Sequence, residues 1–287
     1  MNTQFAQLIV ALEAALSAGD YFYSRVDTVK QVKMKSSLSD LVTDVDPECE
    51  RLIRERIRTD FPGDVILGEE STAPGSAASV EALARVEKEP RLWIVDPLDG
   101  TTNFVYGLPL SVVSIAYAEH GDVLVGVIYD PYRQEVFFGV RGEKAHLSGR
   151  AAVVEWLQDP SRPLPGRELG VSTRSMLKEA VVATGFPTRA EAREQTTAAG
   201  LRLAGEVKSL RSFGSAALHL AYVAAGRLDG FWEYDLNAWD LAAGTLLVEL
   251  AGGVCQDMNG TVYALRVRDI VACGHPELAA KVRATTV

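Results

Sequence analysis

Residues 93–104 read Trp93-Ile94-Val95-Asp96-Pro97-Leu98-Asp99-Gly100-Thr101-Thr102-Asn103-Phe104. Residues 92–95 are a continuous apolar run, the pattern of a strand covered on both faces, so a layered fold is expected. The run ends directly at Asp96. Pro97 fixes the backbone, Asp99 follows three residues after Asp96, and Gly100 permits a tight turn. Two carboxylates at a strand end, beside the hydroxyls of Thr101 and Thr102, make an oxygen-rich cup of the kind that Mg²⁺ requires. A type I turn, with Asp first and Pro second, accounts for the same residues without any ion.

Upstream, Gly68-Glu69-Glu70-Ser71 repeats the pattern of a short apolar strand, residues 65–67, running into carboxylates. Downstream, Trp239-Asp240-Leu241-Ala242-Ala243-Gly244 places Asp240 at a helix start, and its small residues allow close packing. Asp46 and Glu233 are further acidic positions. Each has a plain structural account: an exposed acidic turn for Glu69, a helix cap for Asp46 and Asp240, an edge-strand charge for Glu233. Those accounts fail together if the carboxylates meet. Two unit charges 4 Å apart repel by about 4 kcal/mol at an effective dielectric of 20, so several would demand a divalent cation.

The rest of the chain supplies a frame. Phe5, Leu8, Ile9, Leu12 and Leu16 recur at helical spacing, with Gly19 or the region just after it bending or ending that helix. Residues 30–43 read as an extended or looped connection. A second helix follows Asp44 or Asp46, buries Cys49, Leu52, Ile53 and Ile57, and stops at Phe61-Pro62-Gly63. Residues 71–79 read as a mobile loop and 79–88 as a short helix. Residues 110–118, 123–129 and 135–140 form an antiparallel meander. Residues 158–168 contain three prolines and a glycine and read as a surface excursion and linker. Beyond it, strands at 169–172, 180–184, 210–212, 229–233, 254–257 and 270–273 alternate with helices at 190–206, 215–225 and 239–251. The fold class is α+β or α/β. Residues 1–148 would carry the antiparallel sheet and the main acidic loops, and 149–287 an α/β half, the two forming one compact unit.

The 287 residues are 47% hydrophobic and 23% charged, which excludes a disordered chain or a disulfide miniprotein. A net charge of -9 makes direct nucleic-acid binding by bulk charge an unfavourable reading. Three scattered cysteines suit small buried groups in a reducing compartment, and His219 suits a packed position. No apolar run approaching the ~18 residues of a membrane span is evident. A cytoplasmic protein is expected.

Glu69-Glu70-Ser71, the 96–104 stretch and the 239–244 stretch resemble the three signature motifs of the inositol monophosphatase family, in the same order and at similar separations. The likeness runs from Lys35-Ser36-Ser37 to Gly252-Gly253. It implies a layered αβαβα sandwich of the sugar-phosphatase type, usually a homodimer, and a lithium-sensitive, Mg²⁺-dependent phosphomonoesterase. By the resemblance, Glu69, Asp96, the Leu98 carbonyl, Asp99 and Asp240 bind two or three Mg²⁺ ions. Thr101 and Asp46 orient the attacking water, with Glu69 assisting. Gly100, Thr101, Arg211, Gly214, Ser215, Ala216 and Glu233 fall at substrate contacts. The implied substrate is a small polyol phosphate, inositol 1-phosphate first. Histidinol phosphate, fructose 1,6-bisphosphate and 3'-phosphoadenosine 5'-phosphate are the alternatives, together with a binding role in transcription complexes. Two departures bear on substrate and assembly: the long 158–168 excursion, and Ala238 before Trp239 where bacterial members often have proline.

Overall fold

The computed structural model describes residues 3–28, 32–34 and 41–286. In chain order its elements are α1 (Thr3–Tyr23), β1 (Val32–Met34), β2 (Leu41–Thr43), α2 (Val45–Asp60), β3 (Val65–Gly68), α3 (Ser76–Val86), β4 (Leu92–Asp99), α4 (Thr101–Tyr106), β5 (Val112–Glu119), β6 (Asp122–Asp130), β7 (Glu135–Val140), β8 (His146–Gly149), α5 (Arg150–Gln158), β9 (Arg167–Glu168), β10 (Val181–Thr184), α6 (Ala190–Glu206), β11 (Ser209–Arg211), α7 (Ala216–Ala224), β12 (Gly230–Glu233), α8 (Ala238–Leu250), β13 (Val254–Asp257), β14 (Ile270–Cys273) and α9 (Pro276–Thr286). A 3₁₀ turn covers Leu177–Glu179.

Strands β3 to β9 form one sheet in chain order, antiparallel except for β3 beside β4. A second sheet runs β11-β10-β12-β14-β13. Helices α1 and α2 cover the outer face of the first sheet. Helices α7 and α8 fill the space between the sheets, and α6 and α9 cover the far side of the second. The result is the αβαβα sandwich.

Side-chain alternation shows why the strands read as apolar throughout. On β4, Trp93 and Val95 join the α1/α2 core, whereas Leu92 and Ile94 join the α7/α8 core. On β12, Phe231 faces α7 and α8 while Trp232 faces α6 and α9. A strand covered on both faces must be apolar at odd and even positions alike. By the same parity, Asp96 shares the face of Ile94 and Glu233 the face of Phe231. Both therefore point toward the central helical layer.

The structure corrects several expectations. Helix α1 runs past Gly19 to Tyr23. Gly19 instead admits a close neighbour: a Cβ there would lie 2.4 Å from the Tyr129 ring. Over Gln4–Tyr23 this helix is long and apolar enough to cross a membrane by length and composition, contrary to the reading of the sequence. Its Leu8, Leu12, Leu16 and Phe22 are nevertheless buried in the outer core. Residues 76–79, read as loop, already belong to α3. Residues 169–172 form no strand, although Leu169 and Val171 donate to Ala145 and Ala251. The excursion at 158–168 returns as β9 to the edge of the first sheet, which therefore draws on residues either side of position 148. Lys35-Ser36-Ser37 and part of the 30–43 connection lie outside the described residues.

Candidate metal centre

In a regular strand, side chains three positions apart point to opposite faces. Asp96 pairs with Ser114 and Asp99 with Val112, so three steps on β4 oppose two on β5. This irregularity brings both carboxylates to one side. Helix α8 starts against that side with Asp240 in its first turn, where the Asp240 Oδ2 accepts the Asn237 N–H at 2.6 Å. One carboxylate oxygen from each of Asp96, Asp99 and Asp240 lies within 4.8 Å of the others. Glu69 follows β3 directly, and its N–H bonds the Val95 carbonyl, one residue before Asp96. The capping account holds locally for Asp240, whereas Asp96 and Asp99 lie within β4 instead of a type I turn, Glu69 is only partly exposed, and Glu233 is buried on the central strand of its sheet instead of at an edge.

The convergence has an electrostatic cost. Three mutual repulsions at this separation sum to roughly 10 kcal/mol at an effective dielectric of 20. The groups respond accordingly. Burial, then Glu69, Asp99 and Asp240, holds Asp96 well above the usual carboxylate range. Burial pushes Asp99 up to about 6, tempered by hydrogen bonds from the Ser215 hydroxyl and the Ala217 N–H. Asp240 is raised by burial, then by Asp99 and Glu69. The direct donors to these three are neutral: Leu98 N–H to Asp96 at 3.0 Å, Ser215 Oγ and Ala217 N–H to Asp99 at 2.7 Å each, and Asn237 N–H to Asp240. A hard divalent cation is the partner this donor set fits, since it is all oxygen and strongly anionic.

Beside the carboxylates, Thr101 Oγ1 donates to Asp46 Oδ1 at 2.9 Å, with the Leu98 carbonyl as a second acceptor at 3.2 Å. Asp46 Oδ2 accepts both the N–H and the hydroxyl of Thr43, at 2.9 and 2.5 Å. Burial raises the Asp46 carboxyl, and these bonds partly offset it. Gly100 adopts φ 93°, and a Cβ there would lie 2.9 Å from the Leu110 carbonyl, so the turn into α4 requires glycine.

A cavity of about 480 Å³ reaches this cluster at Asp240 and is lined also by Glu69, Glu233, Trp239, Phe186, Arg189 and Arg268. Glu233 is raised by burial, then by Asp240 and Asp99, and it accepts the Gly185 N–H. Ser215 and the start of α7 are engaged with Asp99. Gly214 and Arg211 are exposed; the Arg211 guanidinium is tied back to Ser209 and Leu210 on its own strand. None of residues 158–168 lines the cavity.

Sequence reasoning missed three supports. Asn103 Nδ2 donates to the Leu110 and Phe213 carbonyls at 2.9 and 2.6 Å, joining α4 to the segment before α7. Arg268 binds Asp235 and Asn237 at the cavity wall, and Arg189 shares Asp235. Glu50 accepts the Glu70 N–H. Asn103 sat in the quoted motif and could have been singled out; Arg268 and Glu50 carry no local signal.

The inositol monophosphatase family model matches residues 5–287. An inositol-1-monophosphatase of Rhizobium meliloti is 37% identical over 281 residues, covering 97% of this chain and 95% of that protein. The Nus factor SuhB of Escherichia coli is 38% identical over 275 residues, covering 94% and 92%. The solved IMPase of Thermotoga maritima superposes with a TM-score of 0.81 at 30% identity, covering 98% of this chain and 96% of that one. The sandwich, the converging acidic motifs and matches along almost the full length agree, and this chain belongs to the inositol monophosphatase family.

Proposed function

We propose that this member of a phosphatase family hydrolyses inositol 1-phosphate, or a closely similar polyol phosphate, by direct attack of water. The observation that carries the reading is the meeting of Asp96, Asp99 and Asp240 within 4.8 Å, with Asp240 lining a cavity that Glu69 and Glu233 also line. Glu69, Asp96, Asp99, Asp240 and the Leu98 carbonyl would hold two Mg²⁺ ions, with a third, weaker one near Glu69. When bound, Mg²⁺ supplies charge neutralisation for the phosphate and lowers the pKa of a coordinated water.

The chain's own groups perform the remaining tasks. Thr101 Oγ1 donates its hydrogen bond to Asp46, which leaves its lone pairs free to accept a hydrogen bond from the attacking water and aim it. Glu69 assists as the general base. The amides at Gly100 and Thr101, at the start of α4, donate to phosphate oxygens. Glu233 accepts hydrogen bonds from substrate hydroxyls, and this favours a polyol. Gly214, Ser215 and Ala216 are further substrate contacts in this reading, with Ser215 acting through Asp99. Arg211 contacts substrate in this reading, once its guanidinium leaves its own strand.

Phosphate release from inositol 1-phosphate, histidinol phosphate, fructose 1,6-bisphosphate and 3'-phosphoadenosine 5'-phosphate, with and without Mg²⁺ and Li⁺, tests the proposal. Inositol 1-phosphate should show the highest kcat/KM, with turnover requiring Mg²⁺ and inhibited by Li⁺. A preference for another substrate by tenfold or more, or release indifferent to Mg²⁺, would reject it. A cytoplasmic homodimer goes with this reading, in keeping with the buried free thiols of Cys49, Cys255 and Cys273.

The similarity to a protein named Nus factor SuhB favours a second reading, a binding role in a transcription complex. A variant without turnover, such as Asp99→Asn, that still bound transcription factors would support it.

A further inference from the structure

Helix α2 carries Asp46 and, one turn on, Glu50. Asp46 reaches Thr101; Glu50 serves a different part of the same site. The residue is 4% exposed. The Oε2 accepts the Glu70 N–H at 2.8 Å, and the Oε1 accepts Arg54 Nε at 2.8 Å. Arg54 in turn donates to the Ile66 carbonyl at 3.3 Å and to Ser71 Oγ. The hydroxyls of Ser71 and Thr72 donate to the Gly68 carbonyl at 3.2 and 2.7 Å. One pair, the buried Glu50 and the partly buried Arg54, therefore ties the chain before and after Glu69.

We propose that Glu50 is a positioning residue for Glu69, holding the turn that presents the Glu69 carboxylate to the metal site. The inference rests on the reading of Glu69 as a metal ligand. The pairing of β3 with β4 ends at Gly68 and Val95, so beyond the Glu69 N–H the sheet no longer sets the course of the chain. Glu50 takes over at the next amide. Its contact with the turn is close: a Cβ at residue 68 would lie 2.5 Å from the Glu50 carboxyl carbon. Only glycine leaves room for the carboxylate against the backbone there. A simple helix-surface pair of Glu50 with Arg54 explains one carboxylate oxygen. It does not explain why the other is spent on the Glu70 amide. The arrangement resembles the outer hydrogen bonds that orient metal ligands generally, whose loss weakens metal binding by about 10- to 100-fold.

Calorimetric titration of the full-length protein with Mg²⁺ tests this, with circular dichroism of the metal-free form to verify folding. Glu50→Ala should raise the Mg²⁺ dissociation constant about tenfold. In a Glu69→Gln background the same change should add less than about twofold, because the group being positioned is gone. An undiminished factor in that background would make Glu50 a general structural support and overturn the proposal, as would an unchanged dissociation constant in Glu50→Ala itself. If Glu69→Gln alone leaves Mg²⁺ binding unaltered, the assignment of Glu69 as a ligand fails first. Should Glu50→Ala not fold, Glu50→Gln and Glu50→Asp replace it. Gln keeps an acceptor at the Glu70 amide and Asp withdraws it, so Asp should weaken Mg²⁺ binding more; the reverse order overturns the proposal.

Discussion

Asp99 illustrates how much one side chain can be asked to do. It lies in the acidic cluster, and its Oδ2 also accepts from Ser215 Oγ and the Ala217 N–H at the start of α7. Asp99→Asn should abolish turnover of inositol 1-phosphate, by at least about 10³-fold, while the protein stays folded. Parental activity in the pure variant would remove Asp99 from the site. Thr101→Ala should lower kcat by about 10²-fold with little change in Mg²⁺ affinity, since it removes an orienting group and no charge; a loss confined to metal binding would contradict the water-orienting role. Glu233→Ala should flatten discrimination among polyol phosphates more than it weakens metal binding, as competition assays beside Mg²⁺ titrations would show. Asp99 and Thr101 stood out because motif and chemistry coincide in one short run, whereas Glu233 was singled out through the family resemblance. Glu50 and Arg268 were not. Each acts through a neighbour distant in the chain, and neither has a local signature.

Among the elements, the strands around the quoted stretch were legible because double-sided burial leaves uninterrupted apolar runs. The irregularity between Asp96 and Asp99 was not, for it depends on the partner strand, and β4 accordingly extends four residues beyond the apolar run. Helices α5 and α9 were overlooked. In α9 the fully buried apolar contacts are Leu278, Ala279 and Val282, a stripe too narrow to stand out among polar residues. Of the two places offered for the end of α1, Gly19 or the region just after it, Gly19 itself lies inside the helix, which stops at Tyr23. A glycine inside a helical pattern signals either a break or a close neighbour, and sequence periodicity does not separate the two. Gly19→Val should destabilise the fold by about 1–3 kcal/mol, because the new side chain must displace the Tyr129 ring. Urea unfolding with an unchanged m-value would report it, and an unaltered midpoint would show that α1 shifts freely.

For the whole molecule, the cluster couples stability to pH. Without a cation, Asp99 keeps its proton up to about 6, whereas its ordinary value is 3.8. Between those values the unfolded chain has released a proton that the folded chain retains. The metal-free protein should therefore lose stability as pH rises through this window, on the order of 3 kcal/mol from Asp99 alone. Asp96 and Asp240, also raised by burial and by the neighbouring carboxylates, add to the loss with the same sign. His219 acts in the opposite sense. Buried between Phe213 and Phe231 with its Nε2 accepting the Phe213 N–H, it is pushed down to about 3. Its contribution is lost as pH falls from 6.5 toward 3, with or without metal. The gain in Tm on adding Mg²⁺ should thus be small at pH 5 and large at pH 8; a gain independent of pH would argue against ionised carboxylates as the ligands. One further consequence comes from the layering. Asp96 and Asp99 enter from the first sheet, Asp240 from the central helices and Glu233 from the second sheet, whereas the 160–166 loop lines no part of the cavity. A protease cut in that loop would spare every acidic residue of the site yet divide them between two fragments. Cation uptake by the nicked material would then gauge whether the severed pieces had reassembled.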